Sequence, residues 1–421
     1  MFVALAGSIC AIGRATAEIL TALLPDSVPG YDAGPGITVE TGEHPEQMPL
    51  GLREGPVVLA PKLEESAGYD SNALPGPHRR GSWEITTGAT LAASTETSQA
   101  TVGGVASLED RRELALPAQS RTDGSVSAGS RIAVGQDEAT VALAHVERHE
   151  DRGEIATIPS DRPVAFRVDD VRIGYTFHRA RWSLTPDLEA TDWRYDPTTI
   201  GGLPADQSYR NRLVFQAGVT LRYELAPLRD LVFVVRGIGQ DYTDTPAGQV
   251  NPGSRSYQFL AGMSDQTDPV WHWRLLIGGE VRSFDAPLYR PQNTLIAEGG
   301  ASWSPSATTT VWATISRETD AATEEGVSGL TYMAARLAIA HELRRNLLLN
   351  GWAAWQQQDD FQGGYQAGTH FGLSLTWMVN RMMRVALTYD QIDLRGSTQA
   401  AGATSPGYSR GLGLMSVRMG L

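Results

Sequence analysis

The chain has 421 residues, of which 41% are hydrophobic and 20% are charged, and its formal net charge is -13. This acidic balance argues against nucleic-acid binding, because the neutralisation of phosphates requires a basic face. No run of about eighteen apolar residues occurs, which excludes a transmembrane helix and leaves either a soluble protein or a barrel of alternating polarity.

The N-terminal region has two parts that precede any regular pattern. Phe2 to Gly13 form an apolar stretch, and Ala15-Thr16-Ala17 matches the small-x-small pattern of a cleavage site. From residue 18 to residue 56 the chain is rich in proline, glycine and acidic residues and shows neither helical nor strand periodicity. We predict a signal peptide over 1–17 and an extended periplasmic arm over 18–56.

From residue 57 to residue 421 the chain consists of segments in which apolar and polar residues alternate. In 213–224 the apolar positions are Leu213, Phe215, Ala217, Val219, Leu221 and Tyr223. A period of two indicates strands with one apolar face, and segments of roughly ten to sixteen residues are long enough to cross a bilayer. The region therefore predicts an all-β, antiparallel up-and-down transmembrane barrel over 57–421.

Two further patterns favour lipid over a protein interior as the surroundings of the apolar face. Aromatic residues lie toward the ends of segments, as in an interfacial girdle: Trp83, Trp182, Tyr223, Trp271, Trp303 and Trp377. Short turns, as at 178–180 and 266–269, alternate with longer connections, as at 196–208 and 243–253. This asymmetry predicts about eighteen strands, with sixteen as the alternative.

The opening of this region resembles a known family. The stretch Pro49-Leu50-Gly51-Leu52-Arg53-Glu54-Gly55, a proline at Pro61 and the end Gly68-Tyr69-Asp70-Ser71-Asn72 are similar to the first strand of the putative β-barrel porin 2 family. The resemblance implies an outer-membrane channel, often associated with exopolysaccharide production. It carries no catalytic motif.

The alternation places a set of charged residues on the face opposite the apolar one. The candidates for a lumen lining are Arg222, Glu224, Arg236, Arg274, Glu280, Arg282, Glu298, Arg336, Arg384 and Asp390, with Glu189 and Glu342 on the same face. These residues would form either a selectivity lining or a ladder of cross-strand ion pairs that stiffens the barrel.

Several aromatic residues share that polar face. Ring faces inside a channel can stack on sugars, and the candidates are Trp193, Tyr195, Tyr242, Trp312 and Trp352. The alternative interpretation is that they are rim residues or anchors of an inward-folded loop.

The sequence predicts no catalytic residue, metal site or cofactor. Gly407-Tyr408-Ser409-Arg410-Gly411 matches the G-x-S-x-G nucleophile motif, but it opens a predicted strand instead of joining a strand to a helix. No histidine pair has the spacing of a metal site.

These observations lead to three functional hypotheses. The first is an outer-membrane channel of a Gram-negative bacterium that passes hydrophilic solutes or exopolysaccharide. The second is a structural barrel that docks an export complex, and the third is an outer-membrane lipid hydrolase. The expected partners are outer-membrane lipid and lipopolysaccharide, the barrel-assembly machinery and periplasmic polysaccharide-export proteins, without nucleic acid.

Overall fold

The structure is a computed structural model that describes residues 28–31, 49–74, 79–151, 157–158, 160–246, 248–322, 326–395 and 407–421. The predicted signal peptide, 1–17, lies outside the described residues, and so does most of the predicted arm. Among the described residues, no helix is long and apolar enough to cross a membrane.

Eighteen long antiparallel strands form a closed barrel, which confirms the predicted fold class and strand number. In chain order the strands are β1 (Leu52–Glu54), β2 (Val57–Asp70), β3 (Ser82–Glu96), β4 (Ala100–Glu113), β5 (Arg121–Val134), β6 (Asp137–His149), β7 (Ala165–Arg179), β8 (Trp182–Tyr195), β9 (Thr198–Ile200), β10 (Leu203–Ala205), β11 (Arg212–Ala226), β12 (Arg229–Tyr242), β13 (Ser254–Asp265), β14 (Trp271–Phe284), β15 (Gln292–Ser306), β16 (Thr309–Asp320), β17 (Leu330–Arg344), β18 (Leu347–Asp360), β19 (Tyr365–Met378), β20 (Met383–Leu394) and β21 (Tyr408–Gly420). The three-residue strands β1, β9 and β10 are additional to the eighteen. Two short 3-10 turns, Pro117–Gln119 and Ser208–Arg210, are the only helical elements in the described part of the chain.

The barrel closes between its first and last long strands. β2 pairs with β21 in a register that runs from Lys62 opposite Gly420 to Asp70 opposite Leu412. The remaining part of β2 pairs with β1, and the amide of Gly51 donates to the carbonyl oxygen of Leu421 at 3.0 Å. Closure leaves no unpaired edge strand in the wall, as a lipid environment requires.

The Gly-Tyr-Asp-x-Asn motif of the first strand forms this seam. A Cβ at Gly68 would lie 1.9 Å from a backbone oxygen of β21, so only glycine permits this approach. Arg410 of β21 donates to Asp70 at 2.6 Å, and the hydroxyl of Tyr408 donates to the carbonyl oxygen of Asn72 at 2.6 Å. The motif therefore has a structural role in joining the two ends of the sheet.

The connections at the two ends of the barrel differ in length. Those at the end that carries the start of β2 have two to five residues and span 97–99, 135–136, 180–181, 227–228, 266–270, 307–308, 345–346 and 379–382. All but one of those at the opposite end have seven residues or more, and they span 71–81, 114–120, 150–164, 196–211, 243–253, 285–291, 321–329, 361–364 and 395–407. This is the predicted asymmetry, and in outer-membrane barrels the short turns are periplasmic and the long loops are external.

The two faces of the wall follow the predicted alternation. On β14 the side chains of Leu275, Ile277 and Val281 are exposed on the outside, whereas those of Glu280 and Arg282 are buried. Outward aromatic rings also pair at the short-turn end: Trp182 with Tyr223 at 4.5 Å between centroids, and Trp271 with Trp303 at 5.5 Å. An apolar outer surface bordered by such a girdle is typical of a barrel in lipid.

Candidate functional site

The inward face of the barrel is the candidate functional site, because the charged residues are concentrated there. The alternation of exposure along each strand places all of the predicted lumen candidates on this face: Arg222, Glu224, Arg236, Arg274, Glu280, Arg282, Glu298, Arg336, Arg384 and Asp390. Arg222 and Arg274 are the exposed members, and Glu280, Arg282 and Asp390 are buried. A role in selectivity stays a prediction for each of them.

One ion pair crosses the wall between strands that are not neighbours. Arg236 of β12 donates from Nη1 to Oε1 of Glu298 on β15 at 2.5 Å, over the two strands that lie between them. Both side chains are partly accessible, with 25% and 39% of their surface exposed. The pair therefore presents both signs of charge to the interior at one place.

A second group of charged residues is buried within the wall. Arg282 donates from Nε to Glu280 at 2.9 Å and from Nη2 to Thr319 at 2.7 Å. The amide of Gln258 donates to the other oxygen of Glu280 at 2.7 Å. Both oxygens of Glu280 therefore accept hydrogen bonds, and Thr319 connects Arg282 to β16.

A histidine that the sequence analysis did not single out belongs to the inward face. Nε2 of His370 lies 3.0 Å from Oδ1 of Asp390, and both residues are buried. The ring of Trp352 meets His370 edge to face at 6.4 Å, and 9% of Trp352 is exposed. The pairing of β19 with β20 brings the two polar groups together, and no spacing in the sequence indicates it.

The first two sugar-stacking candidates have covered ring faces. Trp193 and Tyr195 are 3% and 6% exposed and pack with Phe166. The guanidinium of Arg210 lies 3.9 Å above the ring of Tyr195, and that of Arg212 lies 5.0 Å from the ring of Trp193. A sugar ring would have to displace these cations, because cation–π contact occupies the surface that stacking requires.

The other candidates differ in their surroundings. Trp312 packs beside the buried cluster of Ala340, Leu348 and Met378. Tyr242, near the long-loop end of β12, is half-buried. The structure does not bring the five aromatic candidates together into one surface, and stacking on sugars stays a prediction for them.

Four residues of the predicted periplasmic arm lie inside the barrel. Val28 and Tyr31 are 0% and 3% exposed and belong to a buried cluster with Val105, Ala142 and Val168 of the inward face. Residues 28–31 of the predicted arm therefore lie against the inward face of the wall. The physical reason is that Val28 and Tyr31 bury apolar surface against the wall, which an arm in water would leave exposed.

Tyr31 is held by a polar network on β7 and β8. Its hydroxyl donates to Oδ1 of Asp170 at 2.8 Å, and Thr191 donates to Oδ2 of the same carboxylate at 2.9 Å. Arg172 lies 4.9 Å from the centre of the Tyr31 ring and donates to Glu189 at 3.0 Å. The phenol is therefore both hydrogen-bonded and covered by a cation.

Small residues make room for this segment near the middle of the barrel. A Cβ on Gly129 of β5 would lie 1.9 Å from the carbonyl oxygen of Pro29, and a Cβ on Gly30 would lie 2.8 Å from the Cβ atom of Ala142. The inward positions nearby are also small, and they include Gly103, Ser107, Ser125, Ser127 and Ala144. This run of small inward residues is the sequence signal that could have indicated that another part of the chain fills the space.

Two long loops reach into the mouth of the barrel. Asp151, in the connection 150–164, accepts from Arg121 of β5 at 3.2 Å and from Arg410 of β21 at 3.1 Å. Arg210, in the connection 196–211, pairs with Glu150. Burial by itself would lower the pKa of the Arg210 guanidinium, but the Glu150 carboxylate raises it above its usual value, so the pair stays charged.

The nucleophile-like motif does not have the geometry that its chemistry requires. Ser409 lies within β21, and its hydroxyl accepts from the side-chain amide of Gln391 at 3.1 Å. A nucleophile of this type stands on a sharp turn between a strand and a helix. The segment 407–411 instead continues as a strand of the wall.

The chain matches one protein family and is similar to several solved structures. The family model described as putative beta-barrel porin 2 matches residues 44–409. Among solved structures, the chain is similar to OccK1 (OpdK) of Pseudomonas aeruginosa, at 11% identity and a TM-score of 0.46 over 86% of this chain and 99% of that one. It is also similar to the FrpB iron transporter from Neisseria meningitidis, at 9% identity and a TM-score of 0.45 over 88% of this chain and 82% of that one.

A third similar structure is OccAB3 of Acinetobacter baumannii, at 9% identity and a TM-score of 0.45 over 86% of this chain and 99% of that one. No curated protein matches the chain. The family match covers all the strands from β1 to β20 and ends at the start of β21. The chain belongs to the putative beta-barrel porin 2 family and is an outer-membrane β-barrel protein.

Proposed function

We propose that this protein is a channel for small hydrophilic solutes in the outer membrane of a Gram-negative bacterium, and that residues 28–31 narrow it. The observation that carries the proposal is the closed wall of eighteen strands with its apolar face outside and its charged residues inside. Barrels of about sixteen to eighteen strands are wide enough to leave a water-filled lumen.

The segment 28–31 supports the second half of the proposal. Its backbone lies against the middle of β5 and β6, where the Gly129 and Ala142 positions offer little bulk. A solute that crosses the barrel must pass beside this segment or displace it. The contacts that hold the described segment include the hydrogen bond from Tyr31 to Asp170, the Arg172 guanidinium over the Tyr31 ring and the apolar cluster around Val28.

The charges favour small polar or charged solutes without a strong preference for one sign. Arg222 and Arg274 are exposed to the interior, but Arg236 is paired with Glu298 at the same wall. A wall that carries both signs of charge orients a passing solute, but it does not exclude either cations or anions.

Exopolysaccharide passage is the second candidate, and it rests on the family to which the chain belongs. A polysaccharide chain would need aromatic faces that are free to stack, yet Trp193 and Tyr195 are covered. Its passage would therefore require displacement of Arg210, Arg212 and residues 28–31. Periplasmic export proteins would be partners only in this case.

The outer surface supports lipid as the partner of the barrel. Exposed apolar side chains and the ring pairs at the short-turn end suit contact with acyl chains and headgroups, including lipopolysaccharide. We infer that insertion uses the barrel-assembly machinery. In lipid every backbone N–H and C=O group must be hydrogen-bonded, and the strands of a barrel reach that state only when the sheet is closed.

Single-channel recording in planar bilayers tests the proposal. Gly129→Ala places a methyl group within the space of the Pro29 carbonyl and should dislodge the segment, so the conductance should rise. Gly124→Ala is the matched control on the same strand, because its Cβ would make only an ordinary contact of 3.5 Å with Ser107. Its conductance should equal that of the unaltered protein.

The outcomes separate the two halves of the proposal. Equal conductance of both variants and the parent protein would show that the segment does not narrow the lumen. A barrel that folds, shifts on heating in gel electrophoresis and stays electrically silent even as Gly129→Ala would contradict a channel altogether.

A further inference from the structure

Three carboxylates meet where β2, β3 and β4 end at the long-loop mouth. Asp70, Glu84 and Glu113 are 0%, 1% and 5% exposed. One carboxylate oxygen of each lies within 4.8 Å of those of the other two. Buried carboxylates this close repel one another strongly unless a bound cation or a shared proton offsets their charge.

The protein only partly compensates these charges. Arg410 donates to Asp70, but it also contacts Asp151 at 3.1 Å. Arg111 lies 3.5 Å from Glu84, and its guanidinium is shared with Asp151 and with Glu109. Neither arginine is therefore dedicated to the three carboxylates.

Two oxygen atoms of the cluster receive no hydrogen bond from a described donor. Oε2 of Glu84 and Oε2 of Glu113 are buried and have no hydrogen-bond partner among the described residues. The carboxylate of Glu113 also forms no ion pair with any residue that the structure describes. An unsatisfied buried carboxylate oxygen is costly, so each of these atoms is a free position for a ligand.

We propose that Asp70, Glu84 and Glu113 bind a Ca²⁺ ion. Calcium takes carboxylate oxygens at about 2.3–2.6 Å, so two of its ligands can be as far as about 4.8 Å apart. The oxygen separations in the cluster fall within that limit. Magnesium binds at about 2.0–2.1 Å and retains its water, which suits a buried set of side-chain oxygens less well.

The site would stabilise the seam and the mouth together. Asp70 is the point where the first strand is bonded to Arg410 of the last strand, and Arg410 in turn contacts Asp151 of the loop 150–164. The site lies at the long-loop end of the barrel, and calcium sites of extracellular modules bind at about 10⁻⁴–10⁻³ M. We therefore expect calcium to order the mouth at external concentrations.

Terbium luminescence on the full-length, detergent-folded protein tests the site after removal of metal with a chelator. Tyr69 and Trp83 are the sequence neighbours of Asp70 and Glu84 and would sensitise bound Tb³⁺. We expect saturable Tb³⁺ binding that Ca²⁺ displaces more effectively than Mg²⁺. E113Q should weaken Ca²⁺ competition by about tenfold or more. Substitution of a residue that only hydrogen-bonds to a metal ligand already lowers metal affinity by about tenfold, and Glu113 would be a ligand itself.

D110N is the matched control, because Asp110 lies on the same strand and contacts Arg112 and Thr122 instead of the cluster or its arginines. Its affinity for Ca²⁺ should be unchanged. If E113Q fails to fold, E84Q replaces it in the competition experiment. The melting temperature of the parent protein should also rise when Ca²⁺ is added. Absence of saturable binding, equal losses in D110N and E113Q, or equal displacement by Mg²⁺ would overturn the proposal.

Discussion

Two parts of the inner wall use the same strand pattern in different ways. On the arm wall, the inward face of β4 to β6, most central positions are small, and the backbone of residues 28–31 lies on them. On the charged wall, the inward face of β12 to β15, the inward side chains are long and contact one another, as Arg236 and Glu298 do. Only the arm wall leaves room for another segment of the chain.

The comparison shows that strand number alone does not determine the free width of the lumen. Both walls have the same alternation and similar strand lengths. The volume of the inward side chains decides whether a wall fills its space or accepts a separate segment. We therefore expect substitutions on the charged wall to change stability and selectivity, and those on the arm wall to change conductance.

The largest expected effect is on the stability of the charged wall. Leu276 is 0% exposed and packs with Val232, Leu260 and Ile296. Leu276→Ala should lower the free energy of unfolding by about 2–5 kcal/mol, because it leaves a cavity. Urea unfolding of the lipid-reconstituted barrel measures this change, and Leu276→Met, which conserves volume, is the control. If the two variants are equally stable, the packing of Leu276 does not contribute to the stability of the charged wall.

A smaller effect is expected from the ion pair of the same wall. Glu298→Gln removes the carboxylate that faces Arg236, so the interior becomes more positive where both side chains are partly accessible. The reversal potential in a salt gradient should move toward that of chloride. Glu65→Gln, in which the altered side chain contacts Thr87 of a neighbouring strand instead of an arginine, is the control. An unchanged reversal potential would place Arg236 and Glu298 outside the ion path.

The smallest expected effect sharpens the description of the arm wall. Tyr31→Phe removes the hydrogen bond to Asp170 and keeps the ring, which should weaken docking of the segment by about 1 kcal/mol. Amide hydrogen exchange at residues 30 and 31 should speed up by several-fold. Tyr175→Phe is the control, because Tyr175 contacts Asp137 far from the segment. Unchanged exchange would show that Asp170 does not hold the segment.

The strands of the wall and their two faces could be predicted from the sequence, because the alternation of side chains along a strand is a local property. Successive side chains of a strand point to opposite faces, so the parity of Leu213 and Arg222 or of Ile277 and Glu280 is readable without any tertiary information. The turn at 178–180 and the loop at 196–208 were likewise predicted from local composition. Counting the alternating segments and the turns between them gives the strand number of eighteen.

The sequence by itself thus determined the strands, their inward faces and the two unequal ends of the barrel. Only the tertiary structure decided that Tyr31 meets Asp170, 139 residues away, and that Asp70, Glu84 and Glu113 share one place. These contacts depend on the register between strands and on the space left by side chains of distant segments. Neither quantity has a period along the chain, so no local pattern contains them.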